Sequence, residues 1–229
     1  MKNMNSMKNA TKLLFIAAVL ASSTAAQAQV AGTWLVRGGI TGLMPSVDSG
    51  DLTTPSLAGT KIGVGNSTRL SGGVSYMLGS HFSVDVPLAL PFEHSITGDG
   101  AIAGAGQIGK VKAVPATVIL QWRALEPRAM IRPYVGVGLT YADFYGARGN
   151  STLTAITGGT INNPTTISVQ SKFTATMQVG ATFAVGKGWF VDANYTYTPL
   201  RTSTSLSTGQ FIDATLNPSS LSVAVGLMF

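Results

Sequence analysis

From residue 189 to 198 the chain reads WFVDANYTYT, with Trp189, Val191, Ala193, Tyr195 and Tyr197 at alternate positions and Phe190, Asp192, Asn194, Thr196 and Thr198 between them. Successive side chains of a strand point to opposite faces, so this period of two predicts a strand and not a helix. Eight such segments recur, near residues 32–42, 68–78, 81–91, 113–123, 132–145, 172–184, 188–200 and 218–229, each closed by Gly, Pro, Asn or Ser clusters. Their lengths match or slightly exceed the roughly 9 to 11 residues with which a tilted strand crosses a bilayer. The connections alternate: "GS", "ALEPRAMI" and "AVGK" are short, and those near 43–67, 92–112, 146–171 and 201–217 are long. Short turns on one side and long loops on the other predict an all-β, eight-stranded antiparallel transmembrane barrel, with short periplasmic turns, long extracellular loops and both termini periplasmic.

In a barrel that spans a membrane the apolar face of each strand points out to lipid. The outward sets are then Leu70, Gly72, Val74, Tyr76 and Leu78 on the second strand, Phe82, Val84, Val86, Leu88 and Leu90 on the third, and Leu221, Val223, Val225, Leu227 and Phe229 on the eighth. None of them is charged. Aromatic residues test the assignment, because they gather at membrane interfaces. Trp34, Tyr76, Phe82, Trp122, Phe183, Trp189 and Phe229 fall at the periplasmic ends of their strands, and Tyr141, Phe173 and Tyr197 at the other rim. WFVDANYTYT is therefore expected to turn its Trp and Tyr to lipid and its Asp and Asn to the lumen.

The N-terminus agrees with export. Lys2, Lys8 and Lys12 precede the apolar run LLFIAAVLA, and Ala26-Gln27-Ala28 is a small-x-small cleavage site. The run is too short to span a membrane, so residues 1–28 read as a cleaved signal peptide and 29–229 as the barrel. Its three lysines account for half of the formal charge of +6, which leaves no basic stripe for nucleic acid. Cysteine is absent, so neither a disulfide framework nor a thiolate site is available. Only 10% of residues are charged and 45% are hydrophobic, against about 25% charged in soluble domains. Such a chain suits an outside covered by lipid.

Several stretches resemble the outer-membrane protein W (OmpW) family, which includes the AlkL-type importers of hydrophobic compounds: WLVRGGIT, ALPFEHSI, GKVKAVPATVILQW, RPYVGVGLTYADFY, MQVGATFAV and the terminal VGLMF. They cover nearly all of the mature chain. The resemblance implies a monomeric eight-stranded barrel in the bacterial outer membrane, among its lipids and lipopolysaccharide and inserted by the assembly machinery, that takes up small apolar molecules without a cofactor. NPSS at 217–220 departs from the family's Asp-Pro-aromatic pattern.

Catalytic signals are poor. Glu93, His94 and Ser95 are consecutive in FEHSI, the residue types of a lipid-modifying hydrolase such as some outer-membrane barrels are, but neighbours on an extended chain point to opposite faces, so they do not readily form a relay of nucleophile, base and orienter. A rim or loop position is expected for His94. His81 and His94 lie too far apart in sequence to suggest a metal site. GVGLTY and GDGAIAGAG are not followed by a helix that could receive phosphate, and read as a strand with small inward residues and a flexible loop.

The inward faces carry more information. Toward the periplasm they bring Arg37, Asp85, Arg123 and Asp192, with Leu35, Tyr134, Phe190 and Met228 as bulk. Side chains of this size fill an eight-stranded barrel, and buried charges need partners, so a salt-bridged plug is expected. Toward the outside come Pro87, Ala89, Pro91, Ala113, Pro115, Thr140, Ala142 and Pro218, small and uncharged. Pro87 and Pro115 lie on the neighbouring third and fourth strands and lack the N–H that a ladder requires. Two readings remain open: prolines that only bend the rim of a structural barrel, or a ligand chamber with a lateral gate between these strands.

Overall fold

The computed structural model describes residues 28–229; residues 1–27, and with them all of the expected signal peptide except Ala28, lie outside the described residues. The strands are β1 (Trp34–Met44), β2 (Asp48–Ser49), β3 (Thr60–Val64), β4 (Ser67–Met77), β5 (Phe82–Ala89), β6 (Phe92–Gly100), β7 (Gln107–Arg123), β8 (Ile131–Gly149), β9 (Ile167–Val169), β10 (Lys172–Gly186), β11 (Trp189–Tyr197), β12 (Arg201–Leu206), β13 (Phe211–Thr215) and β14 (Ser219–Met228), with a short helix, α1 (Ser151–Ile156). β1, β4, β5, β7, β8, β10, β11 and β14 are the eight expected strands. Each pairs antiparallel with the next until β14 returns to β1 and closes the barrel.

The alternation places side chains as expected. Trp189 and Tyr195 are exposed on the outside of β11, whereas Phe190, Asp192 and Asn194 are buried inside. Trp34 packs on Tyr76 across β1 and β4 with ring centres 4.7 Å apart, Phe82 pairs with Trp122 across β5 and β7, and Tyr141 meets Phe173 at 4.7 Å near the opposite rim. Leu35, Met77, Phe190 and Met228 form an apolar layer inside the periplasmic end. The turn from β10 to β11 runs through Gly186, Lys187 and Gly188 at φ of 97°, 52° and 79°, a conformation that glycine adopts without a Cβ clash.

The long connections differ from the loops expected. β7 and β8 run for 17 and 19 residues, well beyond the 9 to 11 or so needed to cross a bilayer, and their outer ends carry further structure. β6 and β3 pair successively onto β7, while β2, β13, β12 and β9 form a separate four-stranded sheet. Between them lies an apolar cluster of Leu52, Ile96, Ile108, Val111, Leu153, Ile167, Leu206 and Ile212. The long connections thus fold into an extracellular cap with its own core, since strands of this length can leave the bilayer only if their second apolar face finds cover. GDGAIAGAG, read as a flexible loop, is the turn of the β6–β7 hairpin, with Gly98 to Gly100 still paired to β3.

Candidate functional site

The periplasmic half of the lumen is closed by a polar cluster. Arg37 on β1 donates from Nη1 and Nη2 to the two oxygens of Asp85 on β5, at 2.8 and 2.9 Å, and this two-pronged geometry is the strong form of the pair. Ser75 donates to Asp85 at 2.6 Å. Gly73 makes room for the fork, because a Cβ there would lie 2.9 Å from Arg37 Nη2. Arg37 Nε is 3.9 Å from Asp192, whose carboxylate also accepts from the Tyr134 hydroxyl at 2.9 Å, the Asn194 amide at 2.9 Å and Thr182 at 3.2 Å.

Arg123 departs from the expected salt-bridge network. It makes no ion pair among the described residues; it donates to Ser83 at 3.0 Å, Thr182 at 2.9 Å and Gln121 at 2.7 Å. Its guanidinium carbon lies 4.7 Å from the centre of the Tyr134 ring, a cation–π contact. The lumen's two carboxylates are already engaged by Arg37 and by hydroxyl and amide donors, so neutral acceptors and a π face serve Arg123 instead. Sequence reasoning passed over Arg132. It is fully buried and donates to the Ser80 carbonyl at 2.6 Å and to Gln29 Oε1 at 3.1 Å, an oxygen that also accepts from Arg123 at 3.2 Å. Its signal was the alternation itself, since Arg132 shares the inward phase of Tyr134 on β8.

Above the plug lies a cavity of about 160 Å³. Pro87, Ala89, Ala113, Pro115, Thr140, Ala142 and Pro218 line it; Pro91 does not. Pro91 lies between β5 and β6, where its carbonyl accepts from Arg69 Nε at 3.0 Å. A chain of hydroxyls crosses the cavity lining: Thr117 to Thr140 at 2.8 Å, Thr140 to Thr176 at 2.5 Å and Thr176 to Thr198 at 3.0 Å. The roof is apolar, with Phe92, Ile96, Phe144, Leu200 and Leu216.

One wall of this cavity is not a continuous sheet. Pairing of β5 with β7 ends at Asp85 and Ile119, and pairing of β6 with β7 resumes at Phe92 and Ala113. Between these limits residues 86–91 face residues 114–118 with no pair across the gap, although Pro87 is still registered on Gly73 of β4 and Pro115 on Ala142 of β8. Leu88, in this gap, is 57% exposed on the outer surface and also lines the cavity. This break in the ladder, termed the window below, lies at the height of the cavity.

FEHSI lies on β6, just above the window and outside the membrane-spanning segments. His94 is at the expected rim, on a strand and not in a loop, and the residue is 3% exposed and lines the cavity with Phe92 and Ile96. Alternation separates the three candidate catalytic groups. Glu93 is on the opposite face, where it meets Lys110 at 3.2 Å, and Ser95 shares that face. Burial pushes the His94 imidazole below its ordinary range, Arg69 adds to this, and a hydrogen bond to the Gly65 carbonyl at 2.7 Å opposes it. The hydrogen bond from Lys110 holds the Glu93 carboxyl below its usual range.

Comparison with known proteins agrees with this architecture. A model of the OmpW family matches residues 30–229. Outer membrane protein W of Vibrio cholerae is 30% identical over 93% of this chain and 96% of its own length. Outer membrane protein AlkL of Ectopseudomonas oleovorans is 23% identical over 78% of this chain and 73% of its own. The crystal structure of OprG from Pseudomonas aeruginosa superposes with a TM-score of 0.79 at 22% identity, covering 89% of this chain and 99% of that one, a likeness of fold.

Proposed function

Because the chain belongs to the OmpW family of bacterial outer-membrane barrels, we propose that it is a monomeric conduit for small hydrophobic molecules, which enter the cavity from outside and leave sideways through the window into the surrounding lipid. The observation that carries this reading is the unpaired stretch between β5 and β7 at the height of the cavity. A solute descending through the lumen meets Arg37, Asp85 and Asp192 buried in the plug. An apolar solute has nothing to offer those groups. Moving laterally, it exchanges one apolar surface for another, and burial there is worth about 25 cal/mol per Å² relative to water. A polar solute would lose its hydration without compensation. The prolines contribute by keeping two N–H donors out of the strands that border the gap. The AlkL-type importers, to which the sequence is similar, support the same class of cargo.

The test is to join the two sides of the window. The chain has no cysteine, so a pair introduced at Ala89 and Ala113 is unique, and can be closed as a disulfide or with a short bis-maleimide. Uptake of an apolar fluorophore by cells falls to the level of cells lacking the protein when the pair is linked, and a reductant restores it for the disulfide. Unchanged uptake with the link formed and normal surface expression excludes the lateral route.

A further inference from the structure

Seven of the hydroxyls that line the cavity are partnered with one another. Thr117, Thr140, Thr176 and Thr198 form one chain, and Thr41 bonds Ser71 and Ser222, both at 2.7 Å. His94 differs. Its Nδ1 is 2.7 Å from the Gly65 carbonyl, and a carbonyl only accepts, so Nδ1 carries the proton and donates it. In the neutral ring that leaves Nε2 as an acceptor. His94 is 3% exposed and lines the cavity, and no described residue bonds Nε2. Burial favours the neutral ring. An acceptor on a buried ring that lines the cavity with Phe92, Ile96 and Val111, and that no protein donor reaches, is one that a bound molecule can satisfy.

We propose that His94 Nε2 is a polar anchor in the cavity, and that the preferred cargo is a hydrophobic molecule bearing one hydrogen-bond donor, a phenol or an alcohol, over the hydrocarbon or ether of the same shape. The inference rests on the proposed conduit and names its substrate class. His94 lies on β6 two residues above Phe92, whose pairing with Ala113 forms the upper edge of the window. A hydroxyl held at Nε2 therefore leaves the apolar body of the molecule to lie along Ala113, Pro115 and Pro87 toward the opening. The donor end is retained while the apolar end meets lipid first. The anchor is neutral, so release costs one hydrogen bond and not an ion pair, as a conduit requires.

The experiment uses the full barrel in lipid nanodiscs with two probes of equal shape, 4-hexylphenol and 4-hexylanisole. His81 and His94 are the only histidines, so ¹⁵N-histidine labelling reports on two rings, and His81→Gln assigns them. The phenol is expected to shift the Nε2 resonance of His94 and to bind about threefold to tenfold more tightly than the anisole, the ratio that one neutral hydrogen bond supplies. In His94→Phe, which keeps a flat ring and removes the acceptor, the ratio falls to about one. The wild-type resonance tests the anchor even if that variant does not fold. Equal binding of both probes with no shift at His94 overturns the anchor and leaves the conduit standing. A phenol preference that persists in His94→Phe assigns the donor to another group and also overturns it. If neither probe binds, both the anchor and the conduit fail.

Discussion

Asp85 is held by a two-pronged bond from Arg37 and a third bond from Ser75, all within 2.9 Å, inside a lumen that water barely reaches. A buried charge deprived of its partner is expensive, by about 3–5 kcal/mol, whereas removing both charges together is often neutral. Asp85→Asn is therefore expected to lower the stability of the barrel by that amount, read from the urea midpoint of unfolding in lipid vesicles. Arg37→Met combined with Asp85→Leu recovers most of the loss, because Asp192 retains its bonds from Tyr134, Thr182 and Asn194. At this scale alternation tells which residues point inward, Arg37, Asp85, Arg123 and Asp192 alike. It does not tell which of them meet. That Arg123 faces Tyr134 and not a carboxylate depends on strand register around the barrel, to which residues distant in sequence contribute.

The β6–β7 hairpin is the element on which the cap, the cavity roof and the upper edge of the window all depend. His94 is buried in it with a pKa below the ordinary imidazole value. Protons then bind the unfolded hairpin more readily than the folded one. The hairpin's stability is complete above about pH 6.5, the ordinary imidazole pKa, and is lost as the pH falls toward the folded value. Protection factors of the β6 amides, which correct for the intrinsic slowing of exchange in acid, are expected to fall on acidification through this range, and His94→Phe is expected to flatten that dependence. Two cap strands, β12 and β13, were legible locally: in RTSTSL and FIDATL, Thr202, Thr204, Leu206, Ile212, Ala214 and Leu216 alternate, and all are buried. In β12 the hydroxyls of Thr202 and Thr204 at buried positions weaken the contrast between the faces, and β13 is only 5 residues long.

For the whole molecule, the plug and the window together set what can pass. Eight strands enclose a lumen that side chains fill, and here Arg37, Asp85, Arg123, Arg132 and Asp192 are all buried in it. Single-channel recording in planar bilayers is expected to show no large, stable conductance of the kind that wide aqueous barrels carry. A steady open level would mean that the plug leaves its place.

The number of membrane strands, their outward faces and the side of the membrane that receives the long connections were determined by the sequence, because lipid imposes a period of two and a crossing length on every strand separately. The exposed Trp189 and Tyr195 and the buried Asp192 and Asn194 of one strand needed no partner to be assigned. Pro87 and Pro115 could be marked as places where a ladder lacks a donor. Where pairing stops was decided only by the tertiary structure. β7 pairs with β5 at one end and with β6 at the other, so the gap exists because two different strands share one edge. The inward turn of His94 follows from the same sharing, since a buried inner face at that height requires the β3–β6 pairing and the cap above it. Those contacts join residues far apart in the chain, and no local pattern records them.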